Sequence, residues 1–226
     1  MNFSSNMCRK CFFCENRFVL NQSIDLPGEE SIIYKNEHVF IIPDISPVVL
    51  GHFLIVSEKH RNSFGGVSDD VFFSLLKAKK FVQKKMFAGQ RILFFEHGSV
   101  FERSAGSSID HAHIHVLPSN MTTNAIDQFI SSSIFIRTKK EPSSREALLK
   151  CVADLQPYLY YEIDGEMWYY STNRVPSQFF RRMICSVTGG GYNWKSQFKT
   201  SESKQLFSRT LDEFSRRSPI VTTINI

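Results

Sequence analysis

The chain has 226 residues, 42% of them hydrophobic and 22% charged, with 27 Lys plus Arg against 22 Asp plus Glu and a net charge of +5. Eleven Gly and eight Pro exclude a collagen-like or low-complexity chain, and 21 Phe supply apolar area for a real core. No apolar run approaches the ~20 residues of a membrane helix, and Cys, Arg, Lys and Asp near the amino terminus oppose a secretory leader; a cytoplasmic protein with no membrane partner is expected.

Residues 32–35 and 38–43 read as two strands joined through Asn36-Glu37, and residues 51–56 as a third. Ser68, Asp69 and Asp70 open a helix expected to reach residue 86, with Phe72, Leu75, Leu76, Ala78, Phe81 and Val82 on its apolar face. Residues 91–96 form another strand, residues 98–108 break regularity, and residues 109–117 resume extended structure. Beyond them, residues 124–130 and 144–155 suggest helices, while 158–163 and 167–170, separated by Asp164-Gly165-Glu166, suggest a hairpin. A helix from Pro176 runs through Arg182 toward Gly189, and a last one spans residues 203–216. The expectation is an α+β protein: residues 1–118 an antiparallel sheet with one long helix, and residues 119–226 an α/β elaboration packed on it.

The five cysteines, Cys8, Cys11, Cys14, Cys151 and Cys185, are odd in number, with three crowded together, which makes a poor disulfide framework. Metal binding fits better, although Cys11-Phe-Phe-Cys14 needs partners before it means zinc. All seven histidines lie between His38 and His115, and His111, His113 and His115 occupy alternate positions, so on a strand they share a face. Clustered imidazoles bind metal or do acid, base or nucleophilic work, because the ring is substantially neutral near pH 7. Asp44, just before Ser46-Pro47, reads by itself as a turn residue.

His111-Ala-His113-Ile-His115-Val-Leu117 resembles the signature of the histidine triad superfamily of nucleotidyl hydrolases and transferases. The stretch from Phe40 through Asp44-Ile-Ser-Pro47, followed by Gly51-His52 to Lys59-His60, is similar to the amino-terminal half of that domain, so the likeness covers residues 11–118. It implies a nucleotide substrate, such as a nucleoside phosphoramidate or a dinucleoside polyphosphate, and His113 as a nucleophile that holds the nucleoside monophosphate covalently. It also implies that His115 stabilises charge or supplies a proton, that Ser108 and Ser107 contact the phosphate or leaving group, and that Asp44 accepts from ribose hydroxyls. Glu96, near the end of its strand, is a candidate polar residue of the nucleotide site. Transfer or phosphorolysis is the alternative chemistry, and a nucleotide- or nucleic-acid-binding protein with little turnover the alternative class. A homodimer is implied as well.

In zinc-bearing branches similar to galactose-1-phosphate uridylyltransferase, a C-x-x-C joins an upstream His and the first triad His. Cys11, Cys14, His60 and His111 match that order, which implies a closed structural zinc site, with Cys8 and His97 as competing ligands. His38 and His52 read as packing or surface residues. From Arg174 to Arg217 nine Lys plus Arg face three acidic residues, a candidate surface for an anionic ligand or nucleic acid, with Tyr192 and Trp194 beside Lys195 as stacking groups. Arg181 and Arg182 are the candidates to reach the active site.

Overall fold

Short apolar strands, the central ones buried on both faces, order the molecule into one sheet that helices cover on either side. The computed structural model describes residues 11–16, 31–133, 140–172, 175–187, 200–217 and 221–222. Strands β1 (Tyr34–Lys35), β2 (Val39–Pro43), β3 (Phe53–Ser57), β4 (Ile92–Gly98), β5 (His113–Pro118), β6 (Glu141–Pro142), β7 (Tyr158–Ile163), β8 (Glu166–Ser171) and β9 (Val221–Thr222) form it, in the order β6-β8-β7-β4-β5-β3-β2-β1-β9. Every pairing is antiparallel except that of β1 with β9.

The helices are α1 (Phe12–Asn16), α2 (Asp69–Phe81), α3 (Thr123–Ser131), α4 (Arg145–Ala153), α5 (Phe179–Val187) and α6 (Ser201–Arg217). The expected long helix is two pieces: α2 ends at Phe81, and a π-helical turn, Val82–Met86, carries the chain on, with the Phe87 amide bonded to the Val82 carbonyl. Leu76, expected on the apolar face, is largely exposed, whereas Lys79 is buried and paired with Glu162. The hairpin β7–β8 does not stand apart from the first half of the chain, since β7 pairs with β4 from Phe94↔Glu162 to Gly98↔Tyr158.

Strand parity divides the core. Val39, Ile41, Phe53, Ile55, Phe94, Ile114 and Val116 pack under α2, the π turn and Phe214 of α6. On the opposite face Phe40, Ile42, Leu54 and Val56 meet Phe13 of α1, and Leu93, Phe95, Leu117, Leu159 and Tyr161 meet α3 and α5. Because the period of a strand is two, His113 and His115 fall on this second face, between the patch under α1 and the patch under α5.

Candidate active site

Strand β5 lies between β3 and β4, and its register sets Val56 opposite His113 and both Leu54 and Phe95 opposite His115. The Phe95 ring stacks on the His115 imidazole at 4.3 Å, and the His113 and His115 rings meet edge to face at 5.0 Å. His113 Nδ1 lies 2.6 Å from the His111 carbonyl, which can only accept, so Nδ1 carries the proton and Nε2 keeps its lone pair. Burial pushes the His113 pKa below its ordinary value, against the opposing pull of that hydrogen bond and of Asp44.

A cavity of about 250 Å³ opens beside these rings; His113, His115, Ser108, Asp44, Gln178 and Arg181 are among its lining residues. Sequence reasoning had set His52 aside, yet its ring is buried here. The Val48 amide donates to His52 Nδ1 at 3.2 Å, which places the His52 proton on Nε2, 3.0 Å from His115 Nδ1 and 3.4 Å from Asp44 Oδ2. His115 Nδ1 is then an acceptor, and its proton sits on Nε2, where it can be donated. Burial holds His52 at about 4 and His115 well below the histidine range. Burial pushes the Asp44 carboxyl up, but Arg181, then His52 and His115, outweigh it, and Asp44 stays well below the carboxylate range. The readable signal for His52 was its place at the far end of the turn from Asp44, whose amide donates to the His52 carbonyl at 2.9 Å.

Helix α5 brings the remaining polar groups. Gln178 Nε2 donates to Ser108 Oγ at 2.5 Å, and Arg181 Nη1 donates to Asp44 at 2.9 and 3.2 Å, while its Nη2 donates to the Ser46 carbonyl. Arg182 instead faces solvent and donates to the Ser177 carbonyl. Arg174, Tyr192, Trp194 and Lys195 of the basic stretch lie outside the described residues.

One expectation needs correction. Glu96 does not join the nucleotide site: its position in β4 turns it to the α2 face, where it accepts from the Phe64 amide and from the Tyr158 hydroxyl, both at 2.7 Å. Tyr158 reaches it across Gly98, where a Cβ would sit 2.1 Å from the ring. Burial raises the Glu96 pKa to about 7. Ser107, between Gly106 and the cavity-lining Ser108, donates its hydroxyl to the Ile109 carbonyl at 2.6 Å within its own turn.

At the other end of the triad, Cys11 Sγ is 3.2 Å from His111 Nδ1, and Cys14 Sγ is 3.5 Å from His60 Nδ1 and 3.6 Å from His111 Nδ1. The four ligand atoms all lie within 4.8 Å of one another. Tetrahedral zinc bonds of about 2.3 Å to sulfur and about 2.0 Å to nitrogen would space neighbouring ligand atoms about 3.5 Å apart, so this donor set fits the ion. His111 Nε2 lies 2.7 Å from the Ser57 carbonyl, which fixes its proton there and leaves Nδ1 for a metal. His97 is not in this group. It packs against Phe180 and Phe95 on β4, fully buried and held at about 3 by that burial. Cys8 lies outside the described residues.

The HIT domain model matches residues 28–122. An uncharacterised HIT-like protein of Methanocaldococcus jannaschii is 35% identical over 112 residues, 48% of this chain and 78% of that protein. The chain belongs to the HIT family. It is also similar to a bis(5'-adenosyl)-triphosphatase of Dictyostelium discoideum, at 26% identity over 133 residues, 57% of this chain and 85% of that enzyme. Among solved structures, a HIT family hydrolase from Clostridium thermocellum aligns at 25% identity with a TM-score of 0.37, over 50% of this chain and 95% of that one. The match to the HIT domain stops short of α5, so Gln178 and Arg181 reach the HIT site from beyond it. Among the described residues no helix is long and apolar enough to cross a membrane.

Proposed function

We propose that this HIT protein cleaves or transfers nucleoside monophosphates through a covalent intermediate on His113. The observation that carries the reading is the His113–His111 hydrogen bond, which frees the Nε2 lone pair of a residue lining the cavity. His113 Nε2 attacks the α-phosphorus; an N–P bond forms as the bond to the leaving group breaks, His115 Nε2–H hydrogen-bonds to the departing atom and stabilises its charge, and that atom takes its proton from water. Water or another acceptor then attacks the same phosphorus, the N–P bond breaks with its electron pair returning to His113 Nε2, and the acceptor's proton is released to solvent. Ser108 and Arg181 line the same cavity, and the start of α5 reaches it through Gln178, which supports a phosphate-binding role for them. Membership of the HIT family and similarity to a dinucleoside triphosphatase support nucleotide chemistry of this class.

Cys11, Cys14, His60 and His111 are proposed to hold a structural zinc. With four protein ligands the ion would brace the strand end and leave no open position for water. The His111 carbonyl would in turn keep His113 in place.

The test is nucleoside monophosphate release from phosphoramidates, dinucleoside polyphosphates and nucleotide sugars, with and without added phosphate. The wild-type chain is expected to turn over and to trap a covalent nucleotide, and His113→Ala to lose at least about a thousandfold in kcat. Absence of turnover across the panel would overturn the reading. Product carrying the added phosphate would assign transfer rather than hydrolysis.

A further inference from the structure

Asp44 stands where the family likeness puts a carboxylate for ribose hydroxyls, but its oxygens are already engaged. Oδ1 accepts from the Ser46 amide at 2.8 Å and from Arg181 at 3.2 Å; Oδ2 accepts from Arg181 at 2.9 Å and lies 3.4 Å from His52 Nε2 and 3.3 Å from His115 Nδ1. The Ser46 amide holds one oxygen and the Arg181 guanidinium spans both, with the two imidazoles crowding the second. Asp44 is 1% exposed. A ribose diol could reach it only by displacing a buried guanidinium, which would strand one charge or the other away from water.

Helix α5 is not loosely placed. The Gln178 amide donates to the Gly106 carbonyl at 3.0 Å, and Phe180 packs on Phe95 at 4.8 Å. Gly106, at φ +72°, lets the two segments approach so closely that a Cβ there would meet the Pro176 and Val175 carbonyl oxygens at 2.7 and 2.8 Å. The cavity that remains, about 250 Å³, falls below the range of about 300–1,000 Å³ usual for ligand sites.

We propose that Arg181 is a specificity-determining residue: by occupying Asp44 it makes the site read phosphate and leave the ribose hydroxyls unread, so that ribonucleotides and 2'-deoxyribonucleotides are taken equally. This deepens the nucleotidyl reading and rests on it. The substrate class then includes deoxynucleotide adducts as well as ribonucleotide ones.

The test is calorimetric binding of the four ribonucleoside monophosphates and the 2'-deoxy counterpart of each to the intact wild-type chain. Each pair is expected to agree within about threefold in Kd, since a hydrogen bond from a hydroxyl to a buried carboxylate would separate them by at least about tenfold. Tighter ribonucleotide binding by about tenfold or more overturns the proposal while leaving the nucleotidyl reading intact. Failure of every nucleotide to bind overturns both, and is recognisable as such. Arg181→Met, where it folds, is expected to release Asp44 and introduce a ribose preference of about tenfold. A folded Arg181→Met chain without that preference would overturn the assignment to Arg181, and the wild-type comparison decides the matter if the variant does not fold.

Discussion

Two clusters of ligand-type side chains flank His113 on one sheet face, and their chemistry differs because their neighbours differ. Cys11, Cys14, His60 and His111 gather two thiols and two imidazoles. Asp44, His52 and His115 lie equally close together, but Arg181 is 2.9 Å from the carboxylate. A cation placed among the second three would face that guanidinium in a poorly screened interior, so the donor geometry there serves an internal ion pair instead. The comparison teaches that proximity of His and Asp is not enough to make a metal site; the charge of what packs against them decides.

The largest expected effect is at the ion pair. Arg181→Met should cost about 3–5 kcal/mol in urea unfolding, because it leaves a buried carboxylate alone, and adding Asp44→Asn should recover most of the loss. If the single variant loses less than about 1 kcal/mol, the two clusters differ less than described. The other cluster responds to thiol removal: Cys14→Ala should weaken zinc binding more than about a hundredfold in a chelator competition, whereas His52→Ala should not change it.

Acid separates the two sheet faces by a smaller amount. His52 and His97 are held at about 4 and about 3 in the folded chain against 6.5 ordinarily. Their contribution is complete above that ordinary value and is lost as pH falls; at about pH 5 each costs about 2 kcal/mol. Glu96 has the opposite sign. Its folded value of about 7 against 4.5 makes its contribution fully present below the unfolded value and lost as pH rises through the folded one, so acidification to about pH 5 returns about 2 kcal/mol. Between about pH 7.5 and about pH 5 the Glu96→Gln chain should therefore lose about 2 kcal/mol more than the wild-type chain. A flat profile for Glu96→Gln would contradict neutral buried histidines. The smallest effect is at the α5 contact, where Gly106→Ala should cost about 1–3 kcal/mol by thermal unfolding, from left-handed strain and the clash with the segment before α5.

The triad was legible because alternation in sequence becomes a shared face in a strand, and the C-x-x-C because its order relative to His60 and His111 survives as proximity. What was not legible depended on parity or on distance along the chain. Glu96 and His97 are adjacent, and without the β4 register nothing indicated which of them turns toward His113. The Asp44–Arg181 pair joins residues 137 apart in sequence, so Arg181 could be named from charge but not placed. His52 read as packing because a histidine beside Gly51 on an apolar strand suits a core; only its place across the turn from Asp44 pointed to the carboxylate.

The β7–β8 hairpin also bears on association. Strand β4, apolar from Ile92 to Phe95, would be an open row of amides and carbonyls if β7 did not close it. Beyond β8 the sheet instead ends in the two-residue β6, Glu141–Pro142, exposed and lacking an amide at Pro142. An edge so short offers another chain too little ladder to copy, and the apolar β4 stays in the middle of the sheet, away from it.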